Sequence, residues 1–196
     1  FADDLATARA ASFPALMLSK TESAAQLARV AEVLPPEGYL VALIESARGL
    51  ANLNEIARAP RVQRLAFGTL DYALDLGMPH TERGLLMPAC QIAVASRAAG
   101  IASPIAGVTT AIDDEAQLLA DFQFARECGY GAKLCIHPKQ LGPIIRALTP
   151  TQQEIDWARR VMAALQSGQS AVQVDGKMVD RPVMLAAEDI LRRAPG

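Results

Sequence analysis

Short apolar runs alternate with longer amphipathic stretches along most of this chain, and this alternation restricts the fold more than any other feature. Short apolar runs are typical of buried parallel strands, and amphipathic stretches are typical of helices that cover such a sheet. The predicted strands are Ala15–Ser19, Tyr39–Glu45, Arg64–Gly68, Pro104–Val108 and Ala132–Ile136, and the predicted helices are Ala24–Val33, Leu50–Ala59, Gly84–Ala99 and Asp114–Cys128. The pattern therefore predicts an α/β fold with a parallel sheet.

The number of predicted strands is small for a closed barrel. An eight-stranded β/α barrel typically needs about 250 residues, whereas this chain has 196 and opens on a helix-like segment, Asp3–Ala10. We therefore expect a TIM-type (β/α)8 barrel that lacks its first strands in this chain. A complete five-stranded doubly wound domain is the alternative.

The alternation stops after the last predicted strand. We expect a partial β/α barrel over residues 1–148 and a C-terminal extension over residues 149–196. In the extension the pattern predicts a long helix from Thr149 to Leu165, a break at Ser167–Ser170, a hairpin turning at Asp175-Gly176, and a closing helix over Pro182–Arg193. This extension has the character of a lid or an oligomerisation arm.

Composition excludes several classes of protein. The chain is 51% hydrophobic and 20% charged with a net charge of -2, and it has no basic stripe, so we expect no nucleic-acid partner. No run approaches the roughly 18 apolar residues of a membrane span. Cys90, Cys128 and Cys135 lack metal-type spacing and are predicted to be reduced thiols, which favours a cytoplasmic location.

Two carboxylates follow two neighbouring predicted strands. Glu45 ends one strand and Asp71 comes shortly after the next. In a β/α barrel both would emerge at the same rim, and two hard oxygen ligands with open positions describe a Mg²⁺ site. The alternative is that both carboxylates are structural, with Glu45 complementing a helix dipole and Asp71 and Asp75 acting as turn or cap residues.

Four segments carry a family resemblance. They are ALIESARG (residues 42–49), FGTLDYALDLG (67–77), KLCIHP (133–138) and VDGKMVD (174–180) followed by Pro182. In this order they resemble the citrate lyase β-subunit-like group of the HpcH/HpaI aldolase superfamily. The resemblance covers nearly the whole chain.

The resemblance implies a Mg²⁺-dependent carbon–carbon lyase on a TIM barrel, usually a homotrimer. Its substrates would be β-hydroxyacyl thioesters such as citryl, malyl or citramalyl units on coenzyme A or a carrier protein. The family's metal carboxylates match Glu45 and Asp71. Its C-terminal aspartate, which reaches into a neighbouring subunit's active site, matches Asp180, our candidate for proton transfer. The family's anion-binding arginine lies on an early strand that this sequence lacks.

Several residues allow more than one interpretation. Asp180 is also placed to cap the closing helix. Lys20 could be a Schiff-base lysine, but such a lysine is more often a solvated strand end or a contact to a substrate carboxylate or phosphate. The substrate contact is the role we predict. Ser23 is expected to be a helix N-cap. Ala106 stands where the family commonly has an acidic residue, so we expect a lost rim carboxylate that alters substrate choice or weakens activity.

Two rival functions remain open from the sequence. One is a metal-dependent aldolase that acts on free oxo acids without coenzyme A. The other is a non-catalytic, lyase-like subunit that serves binding or assembly. Hydrolysis of the thioester product is a further activity that the sequence does not separate from cleavage.

Overall fold

The computed structural model of the protein describes residues 2–166 and 173–194. The chain divides into two compact units, Phe1–Ile144 and Ile145–Gly196. The strands of the first unit are β1 (Ala15–Leu18), β2 (Tyr39–Ile44), β3 (Val62–Phe67), β4 (Ile105–Ala106) and β5 (Ala132–Lys133). Its helices are α1 (Ala2–Ala11), α2 (Ala24–Ala31), α3 (Ala47–Ala51), α4 (Leu53–Ala57), α5 (Thr69–Asp75), α6 (Glu82–Ala98) and α7 (Glu115–Glu127). The 3₁₀ helix Pro138–Gln140 then leads into α8 (Leu141–Leu148), in which the division between the units falls.

The five strands of the first unit form one parallel sheet in which each strand pairs with the next along the chain. A doubly wound sheet reverses its strand order near the middle, so that alternative is wrong for this protein. A sequential order of parallel strands with intervening helices is the order of a β/α barrel, which confirms the predicted fold class. Among the described residues β1 and β5 are the two edges of the sheet.

The core lies between one face of this sheet and the covering helices. Leu40, Ala42 and Ile44 of β2 are fully buried, and they lie in register with Val62, Leu65 and Phe67 of β3. Successive side chains of a strand point to opposite faces. A residue that continues β2 beyond Ile44 is therefore directed away from the helices.

β4 and β5 are shorter than the sequence predicted. Gly107 follows β4 and approaches the neighbouring backbone closely, since a Cβ on it would lie 2.7 Å from the carbonyl oxygen of Phe67. One further backbone bond extends the pairing, because Leu134 N–H donates to the Ala106 carbonyl at 2.9 Å.

Local capping signals act as predicted at Ser23, while Asn52 divides a predicted helix. Ser23 caps α2 through a reciprocal capping box with Gln26, which confirms its expected role. Asn52 interrupts the single helix predicted over Leu50–Ala59. It is both the C-cap of α3 and the N-cap of α4.

The second unit contains α9 (Gln152–Gln166), the hairpin strands β6 (Gln173–Val174) and β7 (Lys177–Met178), and α10 (Arg181–Arg193). Asp175 and Gly176 both have positive φ, 52° and 75°, as a type I′ turn requires. Ala158, Val161 and Ala187 form the buried centre of this unit. The predicted break at Ser167–Ser170 lies outside the described residues.

None of the helices in residues 2–166 and 173–194 combines the length and hydrophobicity that a bilayer span requires.

Candidate active site

Glu45 is held in place by the backbone that follows β1. Its side chain is buried, with 7% of the residue's surface exposed, and its Oε1 accepts a hydrogen bond from the Lys20 N–H at 2.7 Å. Lys20 has φ 47°, in the left-handed region that non-glycine residues rarely adopt. This turn of the chain aims the Lys20 N–H at the carboxylate.

The other carboxylate oxygen lies over Gly68, the residue between β3 and α5. A Cβ on Gly68 would lie only 2.5 Å from Glu45 Oε2 and 2.7 Å from Glu45 Cβ. A residue without a side chain is therefore required at this position. The end of β1 and the end of β3 together fix the Glu45 carboxylate.

Asp71 lies in the first turn of α5, shortly after Gly68, and its side chain is exposed. Burial raises the pKa of the Glu45 carboxyl and the Lys20 N–H opposes this rise. The negative charge of Asp71 raises the pKa further, and the positive charge of Lys20 lowers it. The structure therefore brings together the two carboxylates that the sequence paired. Neither forms an ion pair with another side chain of the described residues.

Two further carboxylates connect the loops that carry this pair. Asp75 Oδ2 accepts a hydrogen bond from the Ala47 N–H at 2.7 Å, which ties α5 to the start of α3. Ser46 Oγ donates to Glu22 Oε1 at 2.8 Å, which ties the same turn to the loop after β1. The sequence allowed a cap role for Asp75, but it did not indicate that the capped helix would be α3.

The two other predicted site residues, Lys20 and Asp180, belong to the first and the second unit, respectively. The Lys20 side chain is exposed beyond β1. Asp180 belongs to the second unit, where its Oδ1 accepts a hydrogen bond from the Val183 N–H at 3.1 Å and caps α10. The structure therefore confirms the helix-capping role that the sequence allowed for Asp180. Its catalytic role stays a prediction.

Ala106 does not face the opening of the site. It is the last residue of β4, is buried, and lies in register with Lys133 of β5 on the face covered by helices. The Ala106 side chain therefore lies in the helix–sheet layer at the end of β4, and the expected effect of the missing carboxylate on substrate choice or activity stays a prediction. An acidic side chain here would lie between the sheet and α6 and α7, beside Lys133.

Clusters of three or more histidine, cysteine, aspartate or glutamate side chains able to hold a metal are absent from the described part of the chain. The site thus consists of a pair of carboxylates, one buried and one exposed, at the carboxyl edge of a sequential parallel sheet. Together with the fold, this pair defines an α/β-barrel protein with an acidic site. The sequence model of the HpcH/HpaI aldolase/citrate lyase family matches residues 1–138, and the chain belongs to that family.

Named relatives agree with this assignment. The chain is 34% identical over 185 residues to the citrate lyase subunit beta-like protein of Deinococcus radiodurans, a match that covers 90% of this chain and 65% of that protein. It is 35% identical over 199 residues to a (3S)-malyl-CoA thioesterase of Cereibacter sphaeroides, a match that covers 97% of this chain and 68% of that protein. The chain therefore spans about two thirds of the length of these relatives.

A solved structure shows the same fold over almost the entire chain. CitE from Mycobacterium tuberculosis, in complex with magnesium, acetoacetate and coenzyme A, superposes with a TM-score of 0.85 at 33% sequence identity. The similarity covers 98% of this chain and 73% of CitE. The resemblance stated from the four sequence segments is confirmed.

Proposed function

We propose that this protein is a Mg²⁺-dependent carbon–carbon lyase. It cleaves a β-hydroxyacyl thioester of coenzyme A, such as citryl-, malyl- or citramalyl-CoA, into an oxo acid and an acyl thioester. The observation that carries this proposal is the buried Glu45 carboxylate, fixed by two strand ends and facing the charge of Asp71. The similarity to CitE in complex with magnesium and coenzyme A supports it.

Glu45 and Asp71 would hold the Mg²⁺. Mg²⁺ prefers oxygen ligands and commonly takes one or two carboxylates, with water and substrate oxygens in the other positions. The two carboxylates repel each other, and neither forms a salt bridge with a described side chain, although the charge of Lys20 lowers the pKa of Glu45. Two negative charges that are only partly offset in this way fit a site for a divalent cation. When bound, Mg²⁺ would act as a Lewis acid toward the carbonyl of the oxo acid.

Two other residues complete the proposed site. The exposed Lys20 side chain, next to the N–H that orients Glu45, would contact a carboxylate or phosphate of the substrate. Asp180 would transfer a proton at the substrate carbon, and among the described residues its helix cap engages Oδ1 alone. We propose that Asp180 serves the site of a neighbouring subunit in a homotrimer.

The cellular setting is part of the same proposal. All three cysteines are free thiols in the structure. Free thiols are typical of proteins in a reducing compartment. We therefore propose a cytoplasmic location.

Thioester hydrolysis is the second candidate function. The relative from Cereibacter sphaeroides, 35% identical to this chain, is named a (3S)-malyl-CoA thioesterase. Cleavage of malyl-CoA yields an oxo acid and acetyl-CoA, whereas hydrolysis yields malate and free coenzyme A. The thiol of free coenzyme A distinguishes the two outcomes directly. The aldolase on free oxo acids and the non-catalytic subunit remain the rival interpretations.

The test begins with calorimetric titration of Mg²⁺ into the protein, with and without pyruvate or oxaloacetate. We expect binding that is strengthened by the oxo acid and abolished in Glu45→Gln and in Asp71→Asn. Citryl-, malyl- and citramalyl-CoA are then assayed separately for oxo acid and for free thiol. Glu55→Gln, a change in the exposed face of α4 outside the site, is the matched control.

Each result has a distinct meaning. Oxo acid without free thiol identifies a lyase, and free thiol without oxo acid identifies a thioesterase. Turnover of free hydroxy-oxo acids, but of no thioester, would favour the aldolase. If wild-type protein binds no Mg²⁺ under either condition, the carboxylates are structural and the non-catalytic subunit is the better description.

A further inference from the structure

The first unit contains a cavity that the proposed reaction does not use. It has a volume of about 170 Å³ and lies between β3–β5 and helices α6 and α7. Its lining includes Phe67, Leu85, Phe124, Tyr130, Ala106 and Lys133. A water molecule needs about 10–15 Å³ of such volume, so the cavity admits a molecule of several non-hydrogen atoms.

The cavity lies on the opposite face of the sheet from Glu45. Phe67 and Ala106 line it from the face that packs against the helices, the face to which Ile44 also belongs. Glu45 follows Ile44 and is directed to the other face. Neither Glu45 nor Asp71 is among the residues that line the cavity.

Lys133 brings a positive charge into this cavity. Its side chain is half-buried, and its Nζ donates a hydrogen bond to the Gly107 carbonyl at 2.8 Å. An ammonium group has three N–H donors, and no other acceptor contacts it among the described residues. The partner in register on β4 is Ala106, whose methyl group offers neither charge nor acceptor.

The nearest acidic group is already engaged. Asp121 Oδ2 accepts a hydrogen bond from Thr109 Oγ1 at 2.5 Å, and its Oδ1 accepts one from Gln117 Nε2 at 2.6 Å. Burial has the largest effect on the pKa of Lys133 and lowers it, and the negative charge of Asp121 raises this pKa by a smaller amount. A half-buried cation with unfilled donors is stabilised by an added carboxylate.

The rest of the lining limits what that carboxylate can belong to. Phe67, Leu85 and Phe124 provide apolar contacts for a short alkyl chain. Asp121 and Glu82 also line the cavity and repel any negative charge, so a ligand carboxylate is favourable only in direct contact with Lys133, and a second carboxylate is unfavourable. The chemistry of the cavity selects one negative charge and a small apolar body.

We propose that this cavity binds a short-chain monocarboxylate, with its carboxylate on Lys133 and its alkyl chain against Phe67, Leu85 and Phe124. The site is independent of the proposed lyase reaction and of Mg²⁺.

Propionate is the probe, and propionamide, which has the same shape without the charge, is the control ligand. Binding is measured by saturation-transfer NMR and by thermal shift in buffer with EDTA. We expect saturable, millimolar binding of propionate and none of propionamide. Lys133→Met should weaken propionate binding by about tenfold or more, because a charge-assisted hydrogen bond is lost.

Two further variants locate the site. Ala106→Asp places a carboxylate beside Lys133 and should abolish propionate binding while raising Tm. Glu45→Gln lies on the other face of the sheet and should bind propionate as the wild type does. If Lys133→Met does not fold, the Ala106→Asp result decides.

Three results would overturn the proposal. One is equal binding of propionate and propionamide, and another is wild-type propionate binding by Ala106→Asp. The third is no saturable binding of propionate to the wild type, which would mean that the cavity holds water only.

Discussion

Replacing Gly68 by alanine tests whether the Glu45 carboxylate is fixed as the structure shows. The new Cβ would lie 2.5 Å from Glu45 Oε2 and 2.7 Å from Glu45 Cβ. Carbon atoms in contact are most stable at about 3.5–4.0 Å, so the Glu45 side chain or the strand end must move by about 1 Å. Overpacking of this kind typically costs about 1–3 kcal/mol of folding free energy.

The larger effect should be on the metal. Mg²⁺ requires nearly ideal octahedral geometry, so a displaced carboxylate is a poorer ligand. Changes in the groups that orient metal ligands usually reduce affinity by about 10- to 100-fold, and we expect a loss of that size in Gly68→Ala. Calorimetric Mg²⁺ titration in the presence of pyruvate measures this loss, and a thermal melt measures the stability cost.

The matched control is Gly100→Ala. Gly100 has φ 72°, and apart from its two chain neighbours no described residue has an atom within 4 Å of the position that an added methyl group would take. This change therefore adds backbone strain without a clash. It should lower stability by about 1–2 kcal/mol and leave Mg²⁺ affinity unchanged. If folded Gly68→Ala binds Mg²⁺ as tightly as the wild type, the arrangement of Glu45 derived from the structure is refuted.

Three other predictions follow from the same site. Without Mg²⁺, Glu45→Gln should raise stability at neutral pH. The pKa of Glu45 is raised in the folded protein, so its ionisation destabilises the fold as pH rises above 4.5, the ordinary pKa of the group. Thermal melts across pH should show that the gain vanishes in acid, and a gain that is independent of pH would contradict this. Lys20→Gly keeps the N–H and relaxes the positive φ, so it should bind Mg²⁺ as tightly as the wild type. Lys20→Pro removes the N–H and cannot adopt φ 47°, so it should lose Mg²⁺ affinity by about tenfold or more. Equal affinities in calorimetry would show that the Lys20 N–H is dispensable. Asp180→Asn and Glu45→Gln should each be inactive alone. If Asp180 acts across the interface, mixed trimers of the two variants should regain turnover. Mixtures without turnover would place Asp180 in its own subunit's site or outside catalysis.

Much of the scaffold could be predicted from local sequence. Strand and helix positions depend on hydrophobic periodicity within a few turns, and the sequential order of the sheet follows once consecutive parallel strands are joined by short helical connections. The N-cap at Ser23 and the Asp175-Gly176 turn also depend on residues next to each other. The pairing of Glu45 with Asp71 was predictable because the carboxyl ends of neighbouring parallel strands lie at one edge.

What sequence patterns left undecided depends on contacts between residues far apart in the chain. The Lys20 N–H reaches Glu45 from the preceding strand end, and the clearance at Gly68 exists only because Glu45 lies directly over it. Ala106 was predicted to be a rim residue, but its direction depends on the register of β4 with β5, which places it beside Lys133 in the helix–sheet layer. Register and side-chain direction are set by packing of the entire sheet against its helices, so only the tertiary structure decides them.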